Sequence, residues 1–542
     1  MKRILLIVCL LAGLTSALAQ TSSLEDKLVN AFLYVDSRTF EENMRANDYI
    51  FDQFSKGNYS AVLKSAHSYL QSRMRMVEQM FSILSEQERA DLTILVEKDL
   101  IYHFILSSAY LTGDYSVMGD VYDYLLFVKQ LLLRTTQQRK HALPPNHVTW
   151  RDIQKKLGNG EAAIEFFSFN VFEGEEIKVL HKYAALVITQ NSERPVFIPI
   201  TTEQDLTLWL HKHPSDLYAV DKYGAALCQV ILFKMLSYLD SQGVTTINFA
   251  PWGVLNQIAI EALPYDRETT VSYNYNMTRL SSTRELLNKH NHYPEKTAAL
   301  YGDLLYRASA ETMQQKATTR NAVYPLAASK EEITGINHIL AGQGYRVHSY
   351  MQKQGTEASF KALNGRSPSI LHLSTHGFVN RPNETEVMQR SGLILAFGAR
   401  AWEGKPVPKD AEDGILTAAE IATLDLSGTD IVVLSACNTA LGEITTEGVW
   451  GLQRAFKQAG VQTIVMSLWA VDDEATAVLM QYFYEELVKE RRVHARIATD
   501  TPDIAELFFD YAHSAFSHAQ HRMQQHPKYS APYFWAGFIV VD

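Results

Sequence analysis

Two apolar stretches in the C-terminal half decide the fold: Ile370-Leu371-His372-Leu373-Ser374-Thr375-His376-Gly377-Phe378 and Ile431-Val432-Val433-Leu434-Ser435-Ala436-Cys437-Asn438-Thr439-Ala440. Each is typical of a buried strand in a parallel sheet, because its apolar run is continuous rather than alternating. Parallel α/β sheets hold their ligand sites at the carboxyl ends of the strands. Neighbouring strands that end on His376 and Cys437 therefore predict an imidazole and a thiol side by side, as a cysteine nucleophile and its base require.

The composition is that of an ordinary globular protein, since 46% of the 542 residues are hydrophobic and 20% are charged. The length corresponds to about three domain-sized units. The formal net charge is −10, and no basic stripe or interleaving of basic with aromatic residues appears. Nothing in the sequence therefore favours a nucleic acid as partner. We also predict no cofactor.

The N-terminal residues are typical of a secretory signal peptide over 1–19. Lys2-Arg3 precedes an apolar core at 4–14, and Ala17-Leu18-Ala19 is a small-x-small cleavage site. The core is too short to span a bilayer, and no later segment has the roughly eighteen uninterrupted apolar residues that a spanning helix needs. We therefore expect an exported protein without a membrane span, periplasmic or secreted by a bacterium.

Removal of the signal peptide leaves two cysteines, Cys228 and Cys437. An oxidising compartment permits a disulfide between them, and this alternative stays open on the sequence alone. Each thiol also has a local explanation. Cys228 lies in an apolar, helical stretch over 220–239 and is typical of a small core residue, whereas Cys437 ends a strand at the predicted site.

Helical and strand patterns divide the mature chain into three segments. Residues 20–157 show apolar spacings of three and four, with turn glycines at Gly57 and Gly113, and are typical of a degenerate helical array. Residues 158–293 and 294–542 are two α/β halves. Alternation of strands with helices requires a parallel sheet with helices on both faces.

The second half carries the clearest signals for individual elements. Two capping boxes, Ser329-Lys330-Glu331-Glu332 and Thr417-Ala418-Ala419-Glu420, each predict the start of a helix. After the strand that leads to Cys437, a helix is predicted over 446–459, ended by Gly460. Another helix is predicted over 474–488.

At these residues the second half resembles the CHAT family of caspase-like proteins. Six motifs carry the resemblance, in the family's order: 371–378 (LHLSTHGF), 391–396 (SGLILA), 414–421 (GILTAAEI), 433–442 (VLSACNTALG), 467–474 (SLWAVDDE) and 533–538 (YFWAGF). The family-like region covers 158–542, about seven-tenths of the chain. Residues 122–129 (YDYLLFVK) also look like the helical region that precedes CHAT domains in proteins with tetratricopeptide-like repeats.

The resemblance implies a caspase-like α/β fold of the wider group that includes separase and the gingipains, with an inactive half before an active one. The first half fits the inactive role because it has no His-Gly and Cys pair. The resemblance also implies a cysteine endopeptidase in which His376 takes the proton of the Cys437 thiol and later protonates the leaving amine. The backbone amides of Gly377 and Cys437 are then the donors of the oxyanion hole.

Similarity to separase points to Asp473, beside Asp472, as the acid that holds a basic side chain of the substrate. An Asp-Asp pair at a helix start is also typical of an N-cap, and both roles stay open for the pair. His372 projects to the same side of its strand as His376. We interpret it as a core histidine or as a group behind the site.

Two groups of histidines raise the question of a metal site. They are His290 with His292, and His513 with His518 and His521. Neither group has a recognisable four-ligand spacing, so we predict solvated faces and no metal.

The leading hypothesis is an exported cysteine endopeptidase that cleaves a protein or peptide substrate after a basic residue. The alternative is an interaction module with little or no turnover, docked to a protein partner or activator through its helical N-terminal region. The His376 and Cys437 pair favours the enzyme. The absence of a visible pro-segment or autocleavage signal keeps the alternative open.

Overall fold

The structure is a computed structural model. It describes residues 35–85, 99–129, 147–173, 178–287, 295–307, 323–379, 387–405, 412–436, 448–500 and 511–542, together with 88–89, 92–93, 96, 131, 384 and 443–445. The predicted signal peptide at 1–19, the predicted nucleophile Cys437, and His290 with His292 lie outside the described residues.

Helices form the N-terminal region. They are α1 (Ser37–Ser55), α2 (Tyr59–Ile83), α3 (Leu100–Thr112) and α4 (Met118–Val128), followed by the short α5 (Trp150–Gln154). Both predicted turn glycines are confirmed: Gly57 follows α1 and Gly113 caps α3, each with φ at 70°. A side chain rarely adopts that left-handed conformation, and glycine therefore ends each helix at little cost.

The first α/β half is built on a five-stranded sheet. Its strands are β1 (Glu161–Glu173), β2 (Lys178–Thr189), β3 (Val196–Thr202), β4 (Thr246–Ala250) and β5 (Asn276–Arg279), and its helices are α6 (Glu203–Leu210), α7 (Pro214–Leu217), α8 (Gly224–Ser241) and α9 (Val271–Asn274). The strand order is β3-β2-β1-β4-β5. The β1–β4 and β4–β5 pairs are parallel, whereas β1–β2 and β2–β3 are antiparallel, so this sheet is mixed.

Side chains of α3 bind the part of β1 that extends beyond β4. Strand β4 pairs with β1 only over 161–165. Further along, the His103 ring accepts a hydrogen bond from the Asn170 amide at 3.4 Å, and the Ser107 hydroxyl accepts one from the Phe172 amide at 3.2 Å. The helical region thus satisfies donors that an open strand edge would expose.

A buried ion pair joins the helical region to the first sheet. Lys129, directly after α4, lies 2.6 Å from the Glu165 carboxylate of β1, and both side chains are fully buried. The ammonium also donates to the carbonyls of Ala250 and Pro251 at the end of β4. Glu165 in turn accepts from the amide of Thr283, in the segment that leads to the second half.

The second half contains the remaining described elements. The strands are β6 (Thr297–Leu304), β7 (Arg346–Gln352), β8 (Ile370–Ser374), β9 (His376–Phe378), β10 (Gly392–Ile394), β11 (Ile415–Thr417), β12 (Ile431–Ser435), β13 (Glu443–Thr445), β14 (Gly448–Trp450), β15 (Thr463–Ser467) and β16 (Phe538–Val541). The helices are α10 (Ser329–Ala341), α11 (Glu357–Lys361), α12 (Ala399–Trp402), α13 (Ala418–Thr423), α14 (Leu452–Ala459), α15 (Asp473–Asp500) and α16 (Tyr511–Gln524).

The main sheet of this half has six strands in the order β16-β15-β12-β8-β6-β7. All neighbours are parallel except β16, which runs antiparallel to β15. Together with the first half, this confirms the predicted α/β class with mainly parallel pairing. No helix in the described part of the chain is long and apolar enough to cross a membrane.

The two sheets meet at β5 and β16. The Ser281 amide donates to the Asp542 carbonyl, and the Asp542 amide donates to the Arg279 carbonyl, each at 3.0 Å. This backbone seam joins the two α/β halves.

Two predicted helices have different bounds in the structure. The helix predicted over 446–459 begins only at Leu452, because β13 and β14 pair as an antiparallel hairpin before it. Its predicted end at Gly460 is confirmed, with φ at 100°. The helix predicted over 474–488 continues to Asp500 as α15.

Candidate active site

The carboxyl ends of β8 and β12 lie side by side in the second sheet. The two strands are parallel neighbours, and Ser374 pairs with Ser435 in register. Both strands are buried along their whole length. His376 and Cys437 each follow one of these paired serines by two residues. Cys437 lies outside the described residues, so the geometry of the site is that of His376 and its surroundings.

The chain turns away from the main sheet directly before His376. Strand β8 ends at Ser374, and β9 then pairs antiparallel with β10 in a separate sheet of order β11-β10-β9. Thr375, at the turn, is buried. Its hydroxyl donates to the Ile394 carbonyl and lies 2.9 Å from the Tyr306 hydroxyl. These contacts fix the direction in which His376 leaves the sheet.

The contact of His376 with a backbone carbonyl determines its tautomer. Nε2 lies 2.6 Å from the carbonyl oxygen of Tyr324. A carbonyl oxygen only accepts, so Nε2 carries the hydrogen and donates. In the neutral ring Nδ1 then holds the free lone pair, which is the state that a general base needs. The Tyr306 ring packs beside the imidazole, with centroids 5.1 Å apart.

Burial lowers the pKa of His376 from its usual value, while the Tyr324 carbonyl and the Asp473 carboxylate oppose this shift by stabilising the charged ring. The imidazole is therefore neutral over a wider range of pH than a solvent-exposed histidine. A neutral ring can accept a proton from a thiol, so both the electrostatics and the tautomer suit a base.

The two aspartates of the predicted pair have different partners. Asp472 accepts a hydrogen bond from the Ala475 amide at 2.9 Å, which is the N-cap interaction for α15. Asp473 accepts from the Ala328 amide at 2.8 Å, at the start of α10. Burial raises the pKa of Asp473, and Glu332 and Asp472 add to that shift. The structure thus separates the two: Asp472 is a cap, and Asp473 belongs to the surroundings of His376.

The first turn of α10 is held against the sheet, and the capping box predicted there is wrong. Among the residues that the structure describes, no side chain caps this helix, whose N-cap residue is Ala328. The Ser329 hydroxyl instead accepts from the Asp303 amide at 2.9 Å and donates to the Ser374 carbonyl at 3.3 Å. The Glu332 side chain is buried and points away from its own helix end, toward β8.

His372 is fully buried behind the site, in agreement with the interpretation of a core histidine. Its Nε2 lies 3.0 Å from the Glu332 carboxylate and its Nδ1 lies 3.2 Å from the Tyr484 hydroxyl. The second carboxylate oxygen of Glu332 accepts from the Ser374 hydroxyl at 2.7 Å. Both ring nitrogens therefore have hydrogen-bond partners. This network joins β8 to α10 and α15, directly beneath the end of β8 that leads to His376.

On the cysteine side, the chain is fixed up to the residue before the thiol. The Ala436 carbonyl accepts from the Ser467 hydroxyl of β15 at 2.6 Å. Gly377 lies in β9, opposite Leu393 of β10. The assignment of the Gly377 and Cys437 amides to an oxyanion hole stays a prediction, as does the dyad itself.

The sequence model of the CHAT domain matches residues 221–542, which is more than half of the chain. The protein belongs to the CHAT family. The matched region takes in α8, β4, β5 and every element of the second half, and so includes both predicted strand ends and the Asp472-Asp473 pair.

Known proteins similar to this CHAT protein include tetratricopeptide repeat protein 28. The Mus musculus protein is 30% identical over 127 residues, 23% of this chain, and the Homo sapiens protein is 28% identical over 151 residues, 26% of this chain. These matches span only 4% and 5% of the length of the two relatives.

Among solved structures, the Saccharomyces cerevisiae separase–securin complex matches with a TM-score of 0.47 at 9% identity, covering 99% of this chain and 41% of the other. The Arg specific cysteine proteinase gingipain R matches with a TM-score of 0.37 at 11% identity, covering 60% of this chain and 69% of the other.

The titratable clusters elsewhere in the CHAT protein have partners of their own. His513 binds the Val540 carbonyl, His518 pairs with Glu490, and the Tyr273 ring stacks on His521. The carboxylates of Glu357, Glu412 and Glu420 lie close enough together to hold a metal ion. The Lys361 ammonium, however, lies within 2.6 to 2.9 Å of all three and already supplies a cation there.

Sequence reasoning missed three groups of this site. The sequence pattern predicts that Ser329 and Glu332 form a cap, and it gives no role to Tyr324. The signal for Glu332 was present, because His372 and Ser374 are polar residues on an otherwise apolar strand and need a buried partner. No signal could have found Tyr324, since its contribution is a backbone carbonyl that every residue type carries.

Proposed function

We propose that this CHAT protein is a cysteine endopeptidase in which Cys437 attacks the scissile carbonyl and His376 takes the thiol proton. One observation carries the proposal: a neutral imidazole with its Nε2 hydrogen held by a carbonyl stands where β8 ends, beside the strand that leads to Cys437. The acyl-enzyme forms as the Cys437 sulfur bonds to the carbonyl carbon and the amine leaves with the proton from His376.

Cleavage after a basic residue is the second part of the proposal. Asp473 acts electrostatically on His376 and is half-buried, and one of its carboxylate oxygens makes no hydrogen bond within the described residues. A Lys or Arg side chain of the substrate reaching that oxygen would form a charge-assisted contact. Asp472 is the weaker candidate, because it is already committed to the cap of α15.

We also propose that the protein acts after export, on a protein or peptide substrate. The charged start, apolar core and small-x-small site within residues 1–19 support this part. Sequencing the N-terminus of protein recovered from the periplasm or medium should give Gln20 as first residue. An unprocessed N-terminus in protein confined to the cytoplasm would contradict export and leave the peptidase proposal untouched.

A peptide library tests the chemistry. The wild-type protein should cut after Lys or Arg, and Cys437→Ala and His376→Ala should each lower kcat/KM by several orders of magnitude. Cys228→Ala serves as the matched control, because it removes the other thiol and should retain activity. Thermal unfolding of all four proteins separates lost chemistry from lost structure.

The same experiment decides against the proposal if the wild-type protein cuts nothing, or if Cys437→Ala cuts as fast as wild type. The interaction module docked through the helical region would then be the better account of the first outcome.

A further inference from the structure

The segment Val323 to Ala328 contacts both His376 and Asp473. At one end, the Tyr324 carbonyl accepts from Nε2 of His376. At the other, the Ala328 amide donates to Asp473. Ser329 follows immediately and binds both Asp303 and the end of β8. The carboxylate of Asp473 is therefore four residues of backbone away from the carbonyl that orients the catalytic ring.

We propose that Asp473 is a positioning residue for His376, which it orients through this segment. Its hydrogen bond to the Ala328 amide fixes the segment so that the Tyr324 carbonyl meets Nε2. The ring is thereby held in the tautomer that leaves Nδ1 free for the thiol. This inference rests on the proposed function and deepens it, because one carboxylate then both attracts a basic side chain and holds the base.

The two roles use different properties of the carboxylate. Positioning needs an acceptor for the Ala328 amide, which a neutral amide oxygen can also supply. Attraction of Lys or Arg needs the negative charge. Asp473→Asn keeps the acceptor and removes the charge, whereas Asp473→Ala removes both.

The kinetic test compares these two variants on a pair of peptides that differ only in Lys or its uncharged isostere norleucine at the cleaved position. On the norleucine peptide, Asp473→Ala should lower kcat by about 10-fold or more, and the conservative Asp473→Asn should recover most of that loss. Both variants should lose the preference of the wild-type protein for the lysine peptide over the norleucine peptide. Glu474→Gln is the control, because it removes one negative charge at the next, exposed position, where Glu474 pairs with Lys528.

A second readout does not depend on turnover. Nitrogen-15 NMR of the histidine ring reports which nitrogen carries the hydrogen. His376 should be in the Nε2–H form in wild type, Asp473→Asn and Glu474→Gln, and should become a mixture of tautomers in Asp473→Ala. His376→Gln assigns the signal.

Wild-type kcat on the norleucine peptide together with an unchanged tautomer in Asp473→Ala would overturn the inference. If instead the wild-type protein cuts no peptide, the peptidase proposal fails, while the ring spectra still decide whether Asp473 orients His376. Should Asp473→Ala not fold, Asp473→Leu, which also has no acceptor, takes its place in both measurements.

Discussion

At the scale of single residues, Cys228 shows what keeps a thiol unreactive. It lies inside α8, is buried, and is free of any disulfide within the described residues. Burial raises the pKa of its thiol to about 11. A thiolate is the form that reacts with electrophiles, and so this cysteine is nearly all thiol at neutral pH.

Alkylation should therefore distinguish the two cysteines. Iodoacetamide at pH 7.5 is expected to label Cys437 in the folded protein and to spare Cys228, because only a thiol with an adjacent base is activated. Timed labelling followed by peptide mass mapping measures both sites at once. Protein unfolded in guanidinium provides the reference in which both react. Equal rates in the folded protein would count against the assigned nucleophile.

At the scale of elements, the sequence predicts correctly those features that depend on residues close together in the chain. The Thr417 capping box is confirmed because the hydroxyl and the Glu420 carboxylate meet within one turn. The Ser329 box is wrong because Glu332 finds His372, 40 residues away, and this buried contact outweighs a cap.

The candidate site also combines features that the sequence predicts with features that depend on residues distant in the chain. The apolar runs were enough to predict that the strands ending before His376 and Cys437 are parallel, and they are neighbours in register. The turn at Thr375 could not be predicted, since it depends on Tyr306 and Ile394, groups that only the folded chain brings close.

The interface between α3 and β1 should be sensitive to acid. His103 is buried there, and burial lowers its pKa to about 4. Its neutral ring accepts from Asn170, whereas in the unfolded chain the ring takes up a proton below about pH 6.5. The folded pKa is the lower one, so this contribution to stability is complete above pH 6.5 and is lost as the pH falls toward 4, by about 3 kcal/mol in all.

Urea unfolding at pH 7.5, 5.5 and 4.5 measures this effect. His103→Gln keeps an acceptor for Asn170 and does not titrate, and its stability should therefore fall less steeply with acid than that of wild type. Parallel curves for the two proteins would show that His103 does not contribute to the acid dependence.

At the scale of the whole molecule, the helical region is a fixed part of the structure. The Lys129 and Glu165 pair is fully buried where the helices, the first sheet and the segment toward the second half meet. Burial lowers the pKa of Lys129, and the Glu165 carboxylate opposes that shift. Tyr122 of α4 adds a contact of 3.0 Å to Thr283 in the same place.

Lys129→Met should destabilise the protein by about 3–5 kcal/mol, because it leaves the Glu165 carboxylate buried without its cation. The double variant Lys129→Met with Glu165→Gln should regain part of this loss, since no unpaired charge remains. Chemical unfolding followed by circular dichroism compares the two with wild type. If the single and double variants are equally stable, the charge of Glu165 is not the cause.

The seam between β5 and β16 also bears on solubility. Each of these strands is the last in its sheet, and an unpaired outer strand is a template on which other chains add and aggregate. Here the two strands bind each other at their ends, through Arg279, Ser281 and Asp542, and Ser281 and Asp542 are 261 residues apart in the chain. Closing so long a loop is slow relative to local pairing, so each outer strand stays open until late in folding. Refolding yield should therefore fall as protein concentration rises, and most steeply when this seam is weakened.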